Sequence, residues 1–290
     1  GFMPVGNDST PFTGSFDGRS YDITGLFINR SSTDFVGLFG YIDTGGSASN
    51  VSLMNMILTG KNCSGGLAGY NSGTISNSSA AGNVSGTGYH AGGLVGNNHA
   101  CSVTNSSATG NVSLPVACYN AGGLIGLNEQ GSTVSGSHST GTVNGDGTVG
   151  GLIGDNVASS VFNCFAIGNV SGTGLNVGGL VGWNSGSVNS SYATGNVNGS
   201  DWYTGGLVGY NNDGSVSYSY ATGNVSGTGN VSGLVGYINI GLVNNSYSTG
   251  YVSGTGGDIG GLVGFNASGS VFDSFWDVDT SGQPGSDGGT

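Results

Sequence analysis

Apolar residues recur along this chain at intervals far longer than a helical or strand period. The most regular is a leucine flanked by glycine: Leu38, Leu67, Leu94, Leu124, Leu152, Leu180, Leu207, Leu234 and Leu262. The steps are 29, 27, 30, 28, 28, 27, 27 and 28 residues. Gly stands immediately before each Leu and again two after it. Two further apolar columns keep the period: Ile75, Val103, Val134, Val161, Val188, Val216, Val243 and Val271, then Val84, Val112, Val143, Val170, Val197, Val225 and Val252. Each period reads as G-G-L-V-G-x-N, then S-V-x-x-S-Y-A-T, then G-N-V-S-G-T-G. These runs are too short for helices, and Gly inside a helix costs about 1 kcal/mol per residue. The pattern predicts an all-β fold, a parallel β-helix (β-solenoid) with three short strands per coil. Coils of 27–30 residues would number roughly nine to ten, with Gly at the corners.

Coils stacked about 4.8 Å apart make ten of them a rod about 48 Å long. Residues 1–36 are the least regular and are expected to cap one end, 37–274 to form the solenoid, and 275–290 to cap the other. The columns fail at the last coil, where Trp276, Val278 and Thr280 replace the expected Ala, Gly and Val. Incomplete caps would leave strand edges that join heterologously, head to tail, without closing.

Four features of the period bear on surfaces. Asn stands four after the Leu at Asn71, Asn98, Asn128, Asn156, Asn184, Asn211 and Asn266. This column forms an inward amide ladder or tolerates left-handed turn geometry; both readings are structural. Three after the second column come Ser78, Ser106, Ser137, Cys164, Ser191, Ser219, Ser246 and Ser274, whose parity places them inward. The opposite parity carries Phe165, Tyr192, Tyr220, Tyr247 and Phe275, expected outward unless a bend flips them. A second aromatic column, three after the Leu, contains Tyr70, Trp183, Tyr210, Tyr237 and Phe265 and also points outward by alternation. Exposed apolar stripes mark interfaces, and rings stacked up a rod stabilise neighbouring coils; both readings stand.

Composition narrows the function. Of 290 residues 63 are Gly, and charged residues make up only 6%, three Lys+Arg against fifteen Asp+Glu, for a formal charge of -12. Three cations cannot build the basic face that nucleic acid requires. No run of 18 apolar residues exists to span a membrane. The chain opens at Gly1 without an apolar leader, as expected of a processed secreted protein or of a segment of a longer chain. Fifteen N-x-[ST] sequons are candidate glycosylation sites: Asn7, Asn29, Asn50, Asn62, Asn77, Asn83, Asn105, Asn111, Asn169, Asn189, Asn198, Asn224, Asn230, Asn244 and Asn266. Cys164 is expected as a buried thiol; pairing of Cys63 with Cys118 stays open, since two coils separate them.

Catalysis finds little support. Arg19, Arg30 and Lys61 lie far from the middle coils. Asp146 and Asp201 share one place in coils two apart, about 10 Å, at the upper edge of the separation for inverting glycosidases. Nothing else converges on them. His90, His99 and His138 are read as sharing no column with an acid, so no nucleophile, base and orienter can be assembled. Asp273, Asp277 and Asp279 lack the Ca²⁺-loop spacing and are read as turn caps. No metal or cofactor is expected.

Units such as G-G-L-V-G-Y-N at 205–211 resemble the GLUG-motif repeat family. P-F-T-G-S-F-D-G-R-S-Y-D-I-T-G-L-F-I-N-R at 11–30 is similar to the opening segment of such proteins, and F-W-D-V-D-T-S-G-Q at 275–283 to the segment after their last repeat. The resemblance implies a secreted or surface protein of bacteria or archaea, often large and adhesin-like. Some members carry a protease elsewhere in the chain, and none is visible here. The expected function is a non-catalytic extracellular structural or adhesive protein, self-assembling into a glycosylated filament. Its expected partners are itself or cell-surface glycans and proteins. The alternatives are a carbohydrate-binding module and a carbohydrate-active β-helix enzyme.

Overall fold

A computed structural model describes residues 2–115 and 119–290. The chain winds into a parallel β-solenoid, and every strand pairing is parallel and joins one coil to the next. Each coil contributes to four sheets, which we label A to D in chain order. Sheet A has nine strands, from Phe39–Ile42 to Val263–Asn266, and each begins just after the repeat Leu. Sheet B has ten, from Ser15–Asp17 to Ser270–Phe272, and carries the second apolar column. Sheet C opens with the separate strands Asp22–Thr24 and Phe27–Asn29 and continues as the unbroken Ser52–Gly60 and Ser79–Gly86. From Ser107 onward it splits into pairs of short strands such as Phe165–Ala166 and Val170–Gly172. Sheet D has eight strands of two or three residues, from Ser64–Gly65 to Ile259–Gly260.

The sheet count corrects the expectation of three strands per coil. Sheet D was missed because two or three residues carry no readable periodicity. Its inward residue also shrinks in places, running Ala91, Ala121, Val149, Val177, Thr204, Val231. The residue after each Leu is buried too, as in Val95, Ile125, Ile153 and Val181. The core is therefore one continuous rod of aliphatic columns rather than three seams.

Two backbone devices turn the corners. Between sheets B and C the chain enters the left-handed region at Asn50, Asn77, Asn105, Asn163, Ser190, Tyr218, Asn245 and Asp273, with φ from 45° to 54°. Asn and Asp tolerate this conformation better than other non-glycine residues, so most of these corners need no Gly. The break inside sheet C does need it. A Cβ on Gly110, Gly141, Gly168, Gly195, Gly223 or Gly250 would collide with the carbonyl oxygen of the matching glycine one coil earlier.

Inside, side chains form ladders. Asn71, Asn98, Asn128, Asn156 and Asn184 each donate through Nδ2 to the Oδ1 of the next, ending at Asn211, over 2.8–2.9 Å. Ile238 interrupts the ladder, and the Asn266 side chain bonds within its own turn, to Gly269. The buried serines run parallel to it. Ser106 Oγ receives the Ser78 N–H at 3.2 Å and donates to the Thr104 carbonyl at 2.8 Å, and the pattern repeats up the rod. Cys164 occupies this column, buried, its thiol pushed up to about 11 by burial. Cys63 and Cys101 are also free thiols. Cys118 lies outside the described residues.

The two ends differ. Residues 5–36 form an irregular first coil: Ser15–Asp17 pairs with Ser47–Ser49, and Asp22–Thr24 and Phe27–Asn29 pair with Ser52–Gly60. Among the described residues, no strand pairs with their outer edges. At the other end Phe275–Trp276 adds the last strand of sheet C, and residues 277–290 fold back across the final coil. Gly261 N–H donates to the Gly285 carbonyl, Val263 N–H to Ser286 Oγ, and Asn266 N–H to Asp287. Asp277 caps a one-turn helix, Val278–Ser281, by accepting from the N–H groups of Asp279 and Thr280. No helix of the described residues is long and apolar enough to cross a membrane.

Candidate functional site

The two aromatic columns differ in what they offer a partner. On sheet C, Phe165, Tyr192, Tyr220, Tyr247 and Phe275 point outward, as alternation predicts. Their rings lie 4.9–5.5 Å apart and within 7° of parallel, and His138 extends the stack at 4.6 Å. Tyr192, Tyr220 and Tyr247 are each sandwiched between two neighbouring rings, so their faces are covered. This column stabilises coil stacking and presents no flat platform.

The second column stands on sheet A beside a re-entrant corner where sheet D folds against it. Tyr70 stacks with Tyr41 at 4.4 Å near the start of the rod. Further up, Trp183, Tyr210, Tyr237 and Phe265 continue with centroids 5.2–6.3 Å apart, tilted by 25–46°. Tyr203, from sheet D, closes on Tyr210 and Tyr237 at 5.3 and 4.5 Å. Tilting leaves part of these faces uncovered. A ridge just before each D strand faces solvent at Tyr89, Tyr119, Leu175 and Trp202, between 48% and 57% exposed.

Between the two aromatic stretches, sheet A carries Asn97, Leu127 and Asp155 at the same column position. Here the corner opens into a cleft of about 470 Å³, bounded by Tyr89 and Tyr119 on one lip and Trp183 at its upper end. Its floor is polar. Asn120 Nδ2 lies 3.2 Å from His90 Nδ1 and donates to Asp155 Oδ2 at 3.2 Å. Thr148 and Asn176 follow in the same column, 3.4 Å apart. Burial pushes the Asp155 carboxyl up to about 7, opposed by the Asn120 bond and helped by the negative charge of Glu129. Burial also lowers the His90 pKa. Asp155 Oδ1 is buried with no hydrogen-bond partner.

One expectation is overturned here. His99 and Glu129 do share a column, as paired residues of sheet A, with Nδ1 and Oε1 3.2 Å apart. Both lie five after their repeat Leu, a match the 30-residue step concealed. His90 likewise faces a carboxylate network through Asn120. Neither arrangement adds a nucleophile. Asp146 accepts a hydrogen bond from Thr173 at 3.0 Å, and Asp201 lies beside Trp202 at a separate turn. Among the described residues no three His, Cys, Asp or Glu side chains converge as a metal site.

Nine sequon asparagines are exposed: Asn7, Asn29, Asn77, Asn83, Asn105, Asn111, Asn169, Asn198 and Asn224. Asn50, Asn62, Asn189, Asn230, Asn244 and Asn266 are half-buried, and Asn50 spends its amide N–H on Asp17. Asn83, Asn111, Asn169 and Asn224 accept the backbone N–H of the following coil, a second, outward ladder that period counting did not distinguish from loop composition.

Comparison with known proteins fits the repeat reading. The family model "The GLUG motif" matches residues 60–85, 87–113, 117–144 and 200–226. Among curated proteins, the chain is 46% identical over 89 residues to Halomucin of Haloquadratum walsbyi, covering 30% of this chain and 1% of that one. It is 39% identical over 80 residues to a putative Gly-rich membrane protein of Evansella cellulosilytica, covering 27% of this chain and 9% of that one. The chain therefore spans a small fraction of either relative. No solved structure matches it.

Proposed function

Starting from a chain of GLUG repeats wound into a β-solenoid, we propose that this protein is a non-catalytic structural element of a cell surface, a rigid extracellular rod. The observation that carries the reading is the core itself: aliphatic, Asn and Ser columns, broken only at Ile238 and Cys164 among the described residues of the Asn and Ser columns, commit the inward repeat positions to coil stacking. The names of the two relatives, a halomucin and a membrane protein, point the same way. Charge supports durability. The three basic residues all lie within the first 61, so residues 62–290 offer trypsin-like proteases no cleavage site even when unfolded.

Polymerisation is the finer reading. The unpaired edge of the first coil favours addition of another strand there. The folded-back tail covers the opposite edge, which opposes a fibre built by identical head-to-tail contacts. The rod is therefore expected to stand singly rather than in a head-to-tail fibre. Antibody labelling of intact cells, with electron microscopy of the released protein, tests both statements. Surface label and short unbranched rods are expected. Label appearing only after lysis would overturn the surface role, and long fibres with a repeat near about 50 Å would overturn the single-rod reading.

A further inference from the structure

We propose that the cleft between sheets D and A, spanning Tyr119 to Trp183, binds a neutral oligosaccharide running along the rod axis. Three features select that ligand. The margins are aromatic: Tyr119 is half exposed and backed by Tyr89, 5.3 Å away and nearly parallel, and Trp183 bounds the upper end. Such rings accept the C–H face of a sugar.

Beside the rings and Val157, polar groups line the cleft. They include Asn120, Thr148, Asp155 and Asn176, a set that pairs with hydroxyls. A purely apolar ligand would desolvate these groups without replacing their hydrogen bonds, an unfavourable exchange. Asp155, held by the Asn120 bond, is half-buried among these groups, and a hydroxyl, which can both donate and accept a hydrogen bond, pairs with a carboxyl in either protonation state.

Charge excludes the acidic sugars. Asp155 and Glu129 put carboxylates at and near the cleft, the chain carries a formal charge of -12, and its one lysine, Lys61, lies 3.7 Å from Asp34. Among the described residues no lysine or arginine lines the cleft to hold a carboxylate or sulfate. Above Trp183 the same corner is filled by Tyr203, packed on Tyr210 at 5.3 Å and on Tyr237 at 4.5 Å, so the cleft ends there. The cleft volume, about 470 Å³, falls within the range of small-molecule sites.

This inference goes beyond the structural role and does not depend on it, since a surface rod with no saccharide affinity leaves the rod reading intact. The test is isothermal titration of the full chain with a neutral glucose hexasaccharide, a neutral mannose hexasaccharide, a galacturonic acid hexasaccharide and tetramethylammonium. At least one neutral oligomer is expected to bind with tryptophan fluorescence change. Tyr119→Ala and Trp183→Ala should each weaken it about tenfold or more, which corresponds to about 1.4 kcal/mol. Tyr192→Ala, in the covered stack, should bind as the parent does. Circular dichroism confirms folding, and Trp183→Phe, which keeps a ring, should recover part of the loss. Absence of neutral-sugar binding at about 1 mM, tighter binding of the acidic oligomer or of tetramethylammonium, or equal binding by the Tyr119 and Trp183 variants would each overturn the assignment.

Discussion

Removing one rung from the middle of the asparagine ladder should cost more than removing its last rung. Asn156 is fully buried, accepts from Asn128 at 2.9 Å, and donates to Asn184 at 2.8 Å and to the Ser159 carbonyl at 3.1 Å. Asn156→Ala leaves Asn128 Nδ2 with no amide partner and Asn184 Oδ1 with only its 3.3 Å bond from Gly186. A buried polar group left unpaired costs about 1–3 kcal/mol, so the two together place the expected loss at about 2–4 kcal/mol. Asn211 ends the run. Its removal takes one ladder partner, Asn184 Nδ2, which keeps its 3.2 Å bond to the Gly186 carbonyl. Asn211→Ala should therefore cost about 1 kcal/mol, the low end for a group that keeps a partner.

Because solenoids unfold in segments, hydrogen exchange is the better assay than a single melting temperature. Peptides covering 125–130, 153–160 and 181–186 should exchange faster in Asn156→Ala, with opening free energies lowered by the amounts above. If Asn211→Ala matches or exceeds Asn156→Ala, the ladder is not the source of the stability. A change below about 0.5 kcal/mol for Asn156→Ala, the level of an ordinary surface substitution, would refute it outright.

Other outcomes follow from the same structure. The folded pKa of Asp155, about 7, lies above the roughly 3.9 of an unfolded Asp, so the folded state binds the extra proton. Stability measured by urea midpoint should be highest below about pH 4 and fall as pH rises toward 7, and Asp155→Asn should remove that fall. Tyr220 stacks on two neighbours at 4.9 and 5.0 Å, and Tyr220→Ala should destabilise by about 1–3 kcal/mol for two lost ring contacts, read by thermal melting. Cys164, buried and shifted up to about 11, should resist alkylation at pH 8 in the native rod and react on denaturation; equal rates in both states would place it at the surface. Gly168→Ala sets a Cβ against the Gly141 carbonyl, and loss of cooperative melting is expected, whereas Gly45→Ala meets no atom and should cost only the strain of its φ of 86°.

Much of this architecture was legible in one dimension because a solenoid is nearly one-dimensional. Each residue contacts the residue about one period away, so a column in the sequence is a column in space. The Leu, Val, Asn and Ser columns could be read by counting, and the ladder partners are the residues that counting aligned. The outward sense of the Phe165–Phe275 stripe followed from alternation because the chain between that stripe and the small inward residues stays extended.

What counting could not supply was the shape of the cross-section. The number of residues per coil says nothing about where corners fall, and a strand of two residues, such as Ala121–Gly122, has no period to detect. Sheet D stayed invisible for that reason, and with it the re-entrant corner against sheet A. His90 and Asn120 share one column, four before the repeat Leu, and stack as neighbouring coils, whereas Asp155 stands in another, three after it. Asp155 meets Asn120 because the chain folds sharply at the Gly-Gly-Leu turn, bringing the outer sides of two sheets together. Stacking between coils was determined by the repeat, since parallel pairing aligns like with like. Contacts across a corner were decided by tertiary structure alone, because they depend on bend angles set by many small packing energies around the coil.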